Sequence, residues 1–356
     1  MPDKDCRMWK CRATPIKKVT SRRIFAVMTK FLLIQTAFIG DVILATGLIE
    51  KLAGQYPGAA IDFMVRKGNE GVLEGHPKLR KLWVWDKKRG KYKHLLGLVG
   101  QFRRERYDHV INLQRFATTG LVTVLSGGRE TVGFDKNPFS RLFTRRVPHH
   151  IGDGRHEIAR NHDLVRHLTD AAPAGPRVYP SAADYGRVEA LKERPYLCIA
   201  PTSVWFTKQF PAEKWVELVR QLPSHYAIYL LGGPTDAEAC ERIRRAAGRE
   251  GVTSLAGQLS LLASAALMQH AVMNYVNDSA PMHLASALGA PTSAVFCSTV
   301  PGFGFGPLAP GAHLVERESP LYCRPCGLHG YRACPQGHFK CAHDIKIAQL
   351  LHPEVG

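Results

Sequence analysis

The sequence predicts an α/β protein made of two parallel-sheet halves. Short apolar runs of strand length alternate with segments whose apolar residues recur at helical spacing. This rhythm occurs twice, over 31–134 and again over 195–296, and a Pro- and Ala-rich stretch, AAPAGPRVYPSAAD, separates the two series as a linker would. A βαβα series implies a parallel sheet covered on both faces. Two such halves leave a cleft between them, a common place for a ligand. The expected organisation is a poorly ordered basic extension over 1–29, a first domain over 30–172, a linker over 173–194, a second domain over 195–320, and a Cys-rich segment with a helix over 321–356.

In the first half, FLLIQTAFIGDVILATGLIEKLAG carries the clearest signal. Phe31-Leu32-Leu33-Ile34 reads as a buried strand. A loop with Gly40 and then Asp41 follows, and Val42, Ala45, Ile49 and Leu52 lie on one helical face. Asp41 thus stands at a predicted N-cap at the C-terminal end of a strand, where such sheets place ligands. It either caps the helix or presents a carboxylate to the crevice, beside a glycine that lets a substrate approach the backbone. Strands are predicted at 31–35, 61–65, 81–86, 109–113 and 130–134, and helices at 41–54, 69–75, 93–106, 117–126 and 163–170. The stretch 135–162 interrupts the rhythm with Arg, Lys and His. It is either a solvated surface or a binding loop in which Lys136, Arg141, Arg145, Arg146 and Arg155 meet phosphates, with Phe139, Leu142 and Phe143 between the charges.

In the second half, strands are predicted at 195–200, 226–231, 252–255, 272–276 and 292–296, and helices at 212–222, 236–247, 260–270 and 280–288. The first strand ends in Pro201-Thr202-Ser203, with Lys208 downstream. Hydroxyls and an ammonium at a strand's C-terminal end suit a diphosphate. The next strand ends in Gly232-Gly233-Pro234-Thr235-Asp236, where Asp236 either accepts from ribose hydroxyls or caps the next helix. The strongest local signal is NDSAPMHLASALG: a strand stops, Asp278 or Ser279 caps a helix, Pro281 enters its first turn, and His283 follows. That helix N-terminus is a ready anion site.

Hydrophobic content of 45% fits a globular chain, and no apolar run approaches the ~18 residues of a membrane span. A net charge of +18 favours anionic partners: nucleic acid, an anionic membrane surface or a phosphorylated substrate. Nine cysteines, with no secretory segment at the start, point to a reducing cytoplasm. Cys323, Cys326, Cys334 and Cys341 either hold a structural zinc or pack a loop as thiols, the wider spacing of the second pair being looser than the usual knuckle.

IGDVILATGLIEKL, PTS with its downstream lysine and Phe210-Pro211, NDSAPMHLASALGAP and the cysteine-bearing tail resemble glycosyltransferase family 9, the ADP-heptose:lipopolysaccharide heptosyltransferases, from about Phe31 to about Ile345. The resemblance implies a GT-B fold, two Rossmann-like domains facing across a cleft, with the acceptor on the N-terminal domain and the nucleotide sugar on the C-terminal one. It implies Asp41 as the catalytic residue, Thr202, Ser203, Lys208, Ser279, Ala280 and His283 at the donor diphosphate, and Asp278 and Asp236 at the donor sugar or ribose. Ala280 stands where the family often has glycine. Arg115, Lys136, Arg141, Arg145 and Arg146 are the acceptor-binding candidates. The implied reaction is inverting transfer of a heptose or related sugar from an ADP-sugar to a lipopolysaccharide core. The enzyme is expected on the cytoplasmic face of the membrane, in peripheral contact with its anionic surface. No Asp-x-Asp pair lies in a loop suited to a diphosphate-bridging metal, so no cofactor is expected beyond the zinc alternative. The rival readings are a GT-B nucleotide-sugar epimerase, which needs no acceptor, and a basic nucleic-acid-binding protein, for which no recognised module is seen. A Rossmann dehydrogenase lacks its G-x-G-x-x-G.

Overall fold

The computed structural model describes residues 28–88 and 90–355; residues 1–27, most of the basic extension, lie outside the described residues. The first half carries β1 (Lys30–Ile34), β2 (Ala60–Arg66), β3 (Lys81–Trp85), β4 (His109–Asn112), β5 (Glu130–Phe134) and β6 (Arg145–Val147). The second carries β7 (Tyr196–Ala200), β8 (Ala227–Leu230), β9 (Val252–Ser254), β10 (Met273–Asn277), β11 (Thr292–Phe296) and β12 (His313–Glu316). The sheet orders are β3-β2-β1-β4-β5-β6 and β12-β11-β10-β7-β8-β9, and every pairing is parallel. Counted within its own half, each sheet has the doubly wound order 3-2-1-4-5-6.

The helices are α1 (Ile39–Gln55), α2 (Lys91–Glu105), α3 (Ala117–Leu125), α4 (Glu157–Asp163), α5 (Ala182–Val188), α6 (Ala212–Gln221), α7 (Ala237–Ala247), α8 (Leu261–Met268), α9 (Ala280–Leu288) and α10 (Lys340–His343). The central strands are apolar on both faces because helices cover both. Leu32 and Ile34 pack with Met64, Trp83 and Phe102. Phe31 and Leu33 join a second cluster that runs through Ile43 and Leu48 of α1 into Met282 and Ala285 of α9, so the two halves share one continuous core. The linker is bound as well. Thr46 Oγ1 accepts the Arg177 N–H at 2.8 Å, and a Cβ on Gly47 would lie 2.5 Å from the Ala174 carbonyl.

Five departures from the sequence reading stand out. β6 lies inside the basic stretch, where an edge strand tolerates Arg145 and Arg146. β12 is a short edge strand past the last predicted one. The predicted helix at 69–75 is a single 3-10 turn, Glu70–Val72. The predicted helix at 163–170 is instead α4, started earlier by His156, whose Nδ1 accepts the Ile158 N–H at 3.2 Å. A further helix, α5, sits within the predicted linker, opened by a Ser181–Asp184 capping box. Among the described residues no helix is long and apolar enough to cross a membrane.

Candidate active site

In a sheet of this order, ligands sit where the chain reverses direction, outside the strand ends. Those positions are the loops after β1 and β4 in one half and after β7 and β10 in the other. They carry Asp41, Arg115, the Ser203–Lys208 stretch and Asp278–Ser279. The structure brings most of these to one cleft of about 300 Å³, lined by Asp41 from the first half and by Ser203, Lys208, Asp278, Ser279, Ala280 and His283 from the second.

Asp41 does not cap α1. The helix begins at Ile39 with Phe38 at the N-cap, so the carboxylate lies inside the first turn. Burial, and secondarily the charge of Glu157, push its pKa up to about 7 against the opposing pull of its backbone hydrogen bond, Lys208 and Arg115. A group poised there is about half ionised at neutral pH and more basic than an ordinary carboxylate, as a general base needs to be. Gly40 has a different partner from the one expected. Its bare Cα admits the His283 ring, since an added Cβ would stand 2.8 Å from His283 Cδ2.

On the facing wall, Lys208 Nζ pairs with Asp278 Oδ2 at 2.7 Å, and the same oxygen accepts the Thr299 hydroxyl at 2.6 Å. Asn277 laces this wall together: its Oδ1 accepts the Phe210 N–H at 2.8 Å, and its Nδ2 donates to the Thr202 carbonyl at 3.4 Å. Ser279 occupies the N-cap of α9 without capping it by its side chain; its hydroxyl turns to the Asn277 carbonyl at 3.4 Å. The start of α9 thus has no side-chain cap; Pro281 brings no N–H and the Met282 N–H donates to the Ser279 carbonyl at 3.0 Å, so Ser279 and Ala280 are what the helix start presents to the cleft. His283 is buried, and its Nδ1 has no hydrogen-bond partner. Burial above all pushes its pKa down to about 4, so the imidazole is neutral.

Several sequence candidates are placed elsewhere. Thr202 stands next to the lining residues and is not one of them. Asp236 turns back to accept the Gly233 N–H at 2.8 Å, so its carboxylate serves its own turn and does not reach the cleft. Arg115 is exposed and close enough to act on Asp41. Lys136 and Arg141 lie in the loop after β5, at the cleft end of the sheet. Arg145 and Arg146 do not act together: they alternate faces on β6, level with Val132 and Gly133, and Arg145 is held by Glu130 at 3.2 Å.

Two groups of site residues were not foreseen. Glu157 opens α4, buried beside Arg160, whose Nε donates to it at 2.8 Å. Arg160 also donates to the Phe303 carbonyl of the second half at 2.8 Å. The other group is the tail. The Tyr331 N–H donates to Thr207 Oγ1 at 2.7 Å, and the Thr207 N–H donates to the Tyr331 carbonyl at 3.1 Å. These bonds stitch the tail to the Lys208 loop and put Leu328 and His329 in the cleft lining. The His329 pKa is held below its usual value, first by desolvation and then by Lys208 and Arg115.

The tail thiols are unpaired. The Cys326 thiol donates to the Cys323 carbonyl at 3.0 Å, Cys341 is buried, and Cys334 packs against the same apolar cluster. Among the described residues no three His, Cys, Asp or Glu side chains are gathered to hold a metal. The four thiols are nonetheless neighbours, Cys341 lying close enough to feel Cys326, Cys334 and Cys323.

The model of glycosyltransferase family 9 (heptosyltransferase) matches residues 96–329. The chain belongs to that family. It is 28% identical over 318 residues to lipopolysaccharide heptosyltransferase 1 of Pseudomonas aeruginosa, covering 83% of this chain and 86% of that protein. It is 30% identical over 284 residues to lipopolysaccharide heptosyltransferase 3 of Escherichia coli, covering 73% and 80%. The fold matches the Escherichia coli ADP-heptose lipopolysaccharide heptosyltransferase II with a TM-score of 0.74 at 21% identity, covering 90% of this chain and 96% of that one. The protein is a family 9 glycosyltransferase with the expected GT-B architecture, and its membership favours neither the epimerase nor the nucleic-acid-binding reading.

Proposed function

We propose that this glycosyltransferase moves a heptose, or a related sugar, from an ADP-sugar to a lipopolysaccharide core acceptor with inversion. The observation that carries the reading is the opposition of Asp41, poised near pH 7, to a wall of anion-binding groups across one cleft. Asp41 takes the proton of the acceptor hydroxyl as that oxygen bonds to the anomeric carbon and the bond from that carbon to the diphosphate oxygen breaks. The departing nucleoside diphosphate gains charge. Lys208, the Ser203 and Ser279 hydroxyls and the N-terminus of α9 meet that charge. Asp278 holds Lys208 in place, and His283 lines the same wall. The relatives named as lipopolysaccharide heptosyltransferases support heptose and the core acceptor. These fixed cationic groups make transfer insensitive to a chelator.

Arg115, Lys136 and Arg141 are the acceptor's phosphate partners. An acceptor anchored in a leaflet, together with a charge of +18, supports peripheral contact with the cytoplasmic membrane face. The test is transfer of label from ADP-heptose to a truncated lipopolysaccharide core. Labelled product with an inverted anomeric centre supports the reading. Tight donor binding without transfer argues against the acceptor, and absence of both argues against the donor.

A further inference from the structure

We infer that the rim formed by the loops after β4 and β5 is a membrane-docking surface, in which Phe116, Leu121 and Leu142 enter an anionic bilayer leaflet and set the acceptor side of the cleft against it. The inference rests on the proposed lipid-borne acceptor and names the surface that would meet the lipid.

β4 and β5 are neighbours in the first sheet, so the loops leaving their C-terminal ends are neighbours as well. Asn137 fastens them: its Nδ2 donates to the Gln114 carbonyl at 3.0 Å and to the Phe116 carbonyl at 3.1 Å, while its Oδ1 accepts the Phe139 N–H at 3.0 Å. Gly120 is required for this fit, since a Cβ there would stand 2.1 Å from Asn137 Oδ1. On this braced platform Phe116 is 65% exposed, Leu142 61% and Leu121 40%. Three large apolar side chains are thus left in water on segments that Asn137 fastens together, and an exposed apolar patch marks an interaction site.

Their surroundings select the partner. Arg115, Lys136 and Arg141 are interleaved with them and exposed. The one carboxylate in these two loops, Asp135, is exposed, but its Oδ1 is engaged by the His149 N–H at 3.1 Å and the three cations outnumber it. Apolar tips among cations fit a leaflet with anionic headgroups, where the apolar groups enter the acyl boundary and the cations stay at the phosphates. Arg115 also acts on Asp41, so the residue next to Phe116 already belongs to the mouth of the cleft. Docking here sets the mouth of the cleft against the leaflet that holds the acceptor.

The experiment is sedimentation of the full chain with vesicles of phosphatidylcholine alone or mixed with phosphatidylglycerol, free of any acceptor. The wild type is compared with F116S/L142S, two exposed positions that tolerate a polar residue. Wild type is expected to bind the mixed vesicles, and the double variant to partition at least ~10-fold more weakly, given the apolar transfer lost at each site. Its kcat/KM toward a water-soluble core fragment is expected to be unchanged. Equal binding by wild type and variant overturns the inference, because the binding then comes from elsewhere, such as the basic residues before 28. No binding of wild type to the mixed vesicles overturns it too. Failure of the soluble transfer assay would count against the proposed reaction and leave the vesicle result standing.

Discussion

Gly40 and His283 meet across the junction of the two halves: a Cβ on the first would stand 2.8 Å from Cδ2 of the second. The glycine precedes Asp41, so the base and the imidazole at the donor wall are held in register by one contact. Gly40→Ala puts a methyl group where the ring lies. Alanine suits the helix itself, but the clash with a buried ring outweighs that gain, so Tm is expected to fall by a few degrees. A displaced ring and base are expected to lower kcat/KM by about 10- to 100-fold, as misplacement by an ångström does. Steady-state kinetics beside a thermal melt checks this.

The pKa of Asp41 gives the pH dependence its sign. The carboxylate is the active form, so kcat/KM rises with pH up to about 7 and levels off above it. Glu157 helps to hold that value up, so Glu157→Gln moves the acid limb to lower pH. Stability runs the other way. A carboxyl whose folded pKa is raised from 3.8 to about 7 favours the fold below 3.8, and that contribution is lost as pH rises through 7. Asp41→Asn is therefore expected to have a higher Tm than wild type above pH 7, the gap closing toward pH 4.

Lys208 and Asp278 form a largely buried pair, with side chains 16% and 4% exposed. Lys208→Met leaves Asp278 with Thr299 but without a cation. Breaking such a pair from one side costs about 3 kcal/mol. The expected result is a lower denaturation midpoint together with weaker ADP binding, read by urea titration and calorimetry.

The tail lies against the same lysine. Gly330 has φ +78, and a Cβ there would stand 2.9 Å from Thr207 Oγ1 and 3.0 Å from Lys208 Cγ. Gly330→Ala strains the backbone and pushes the tail from the Lys208 loop. The donor KM is expected to rise several-fold while the soluble acceptor's KM stays close to that of wild type.

Legibility in the sequence followed the range of the forces. The apolar runs of β1 and β7 and the Ser279–Pro281 helix start are local, and they lay within a residue or two of their predicted places. β6 and β12 were hidden because edge strands need little apolar patterning, and β6 is charged. Asp41, Lys208 and His283 stand at strand ends whose convergence follows from strand order, so motif and topology agree on them. Asp236 misled because capping its own turn and meeting a ribose call for the same residue type. Glu157 and His329 carry no local signal: one is placed by Arg160 reaching into the other half, the other by a tail folded onto Thr207. Only the three-dimensional path of the chain brings either to the cleft.

The most direct measurement is transfer by Asp41→Asn, an isosteric change, with ADP-sugar affinity measured on the same preparation. A loss of kcat by about 10²- to 10⁴-fold, with donor Kd unchanged, is the expected result. Transfer within a few-fold of wild type, or a loss that tracks weakened donor binding, would contradict Asp41 as the base.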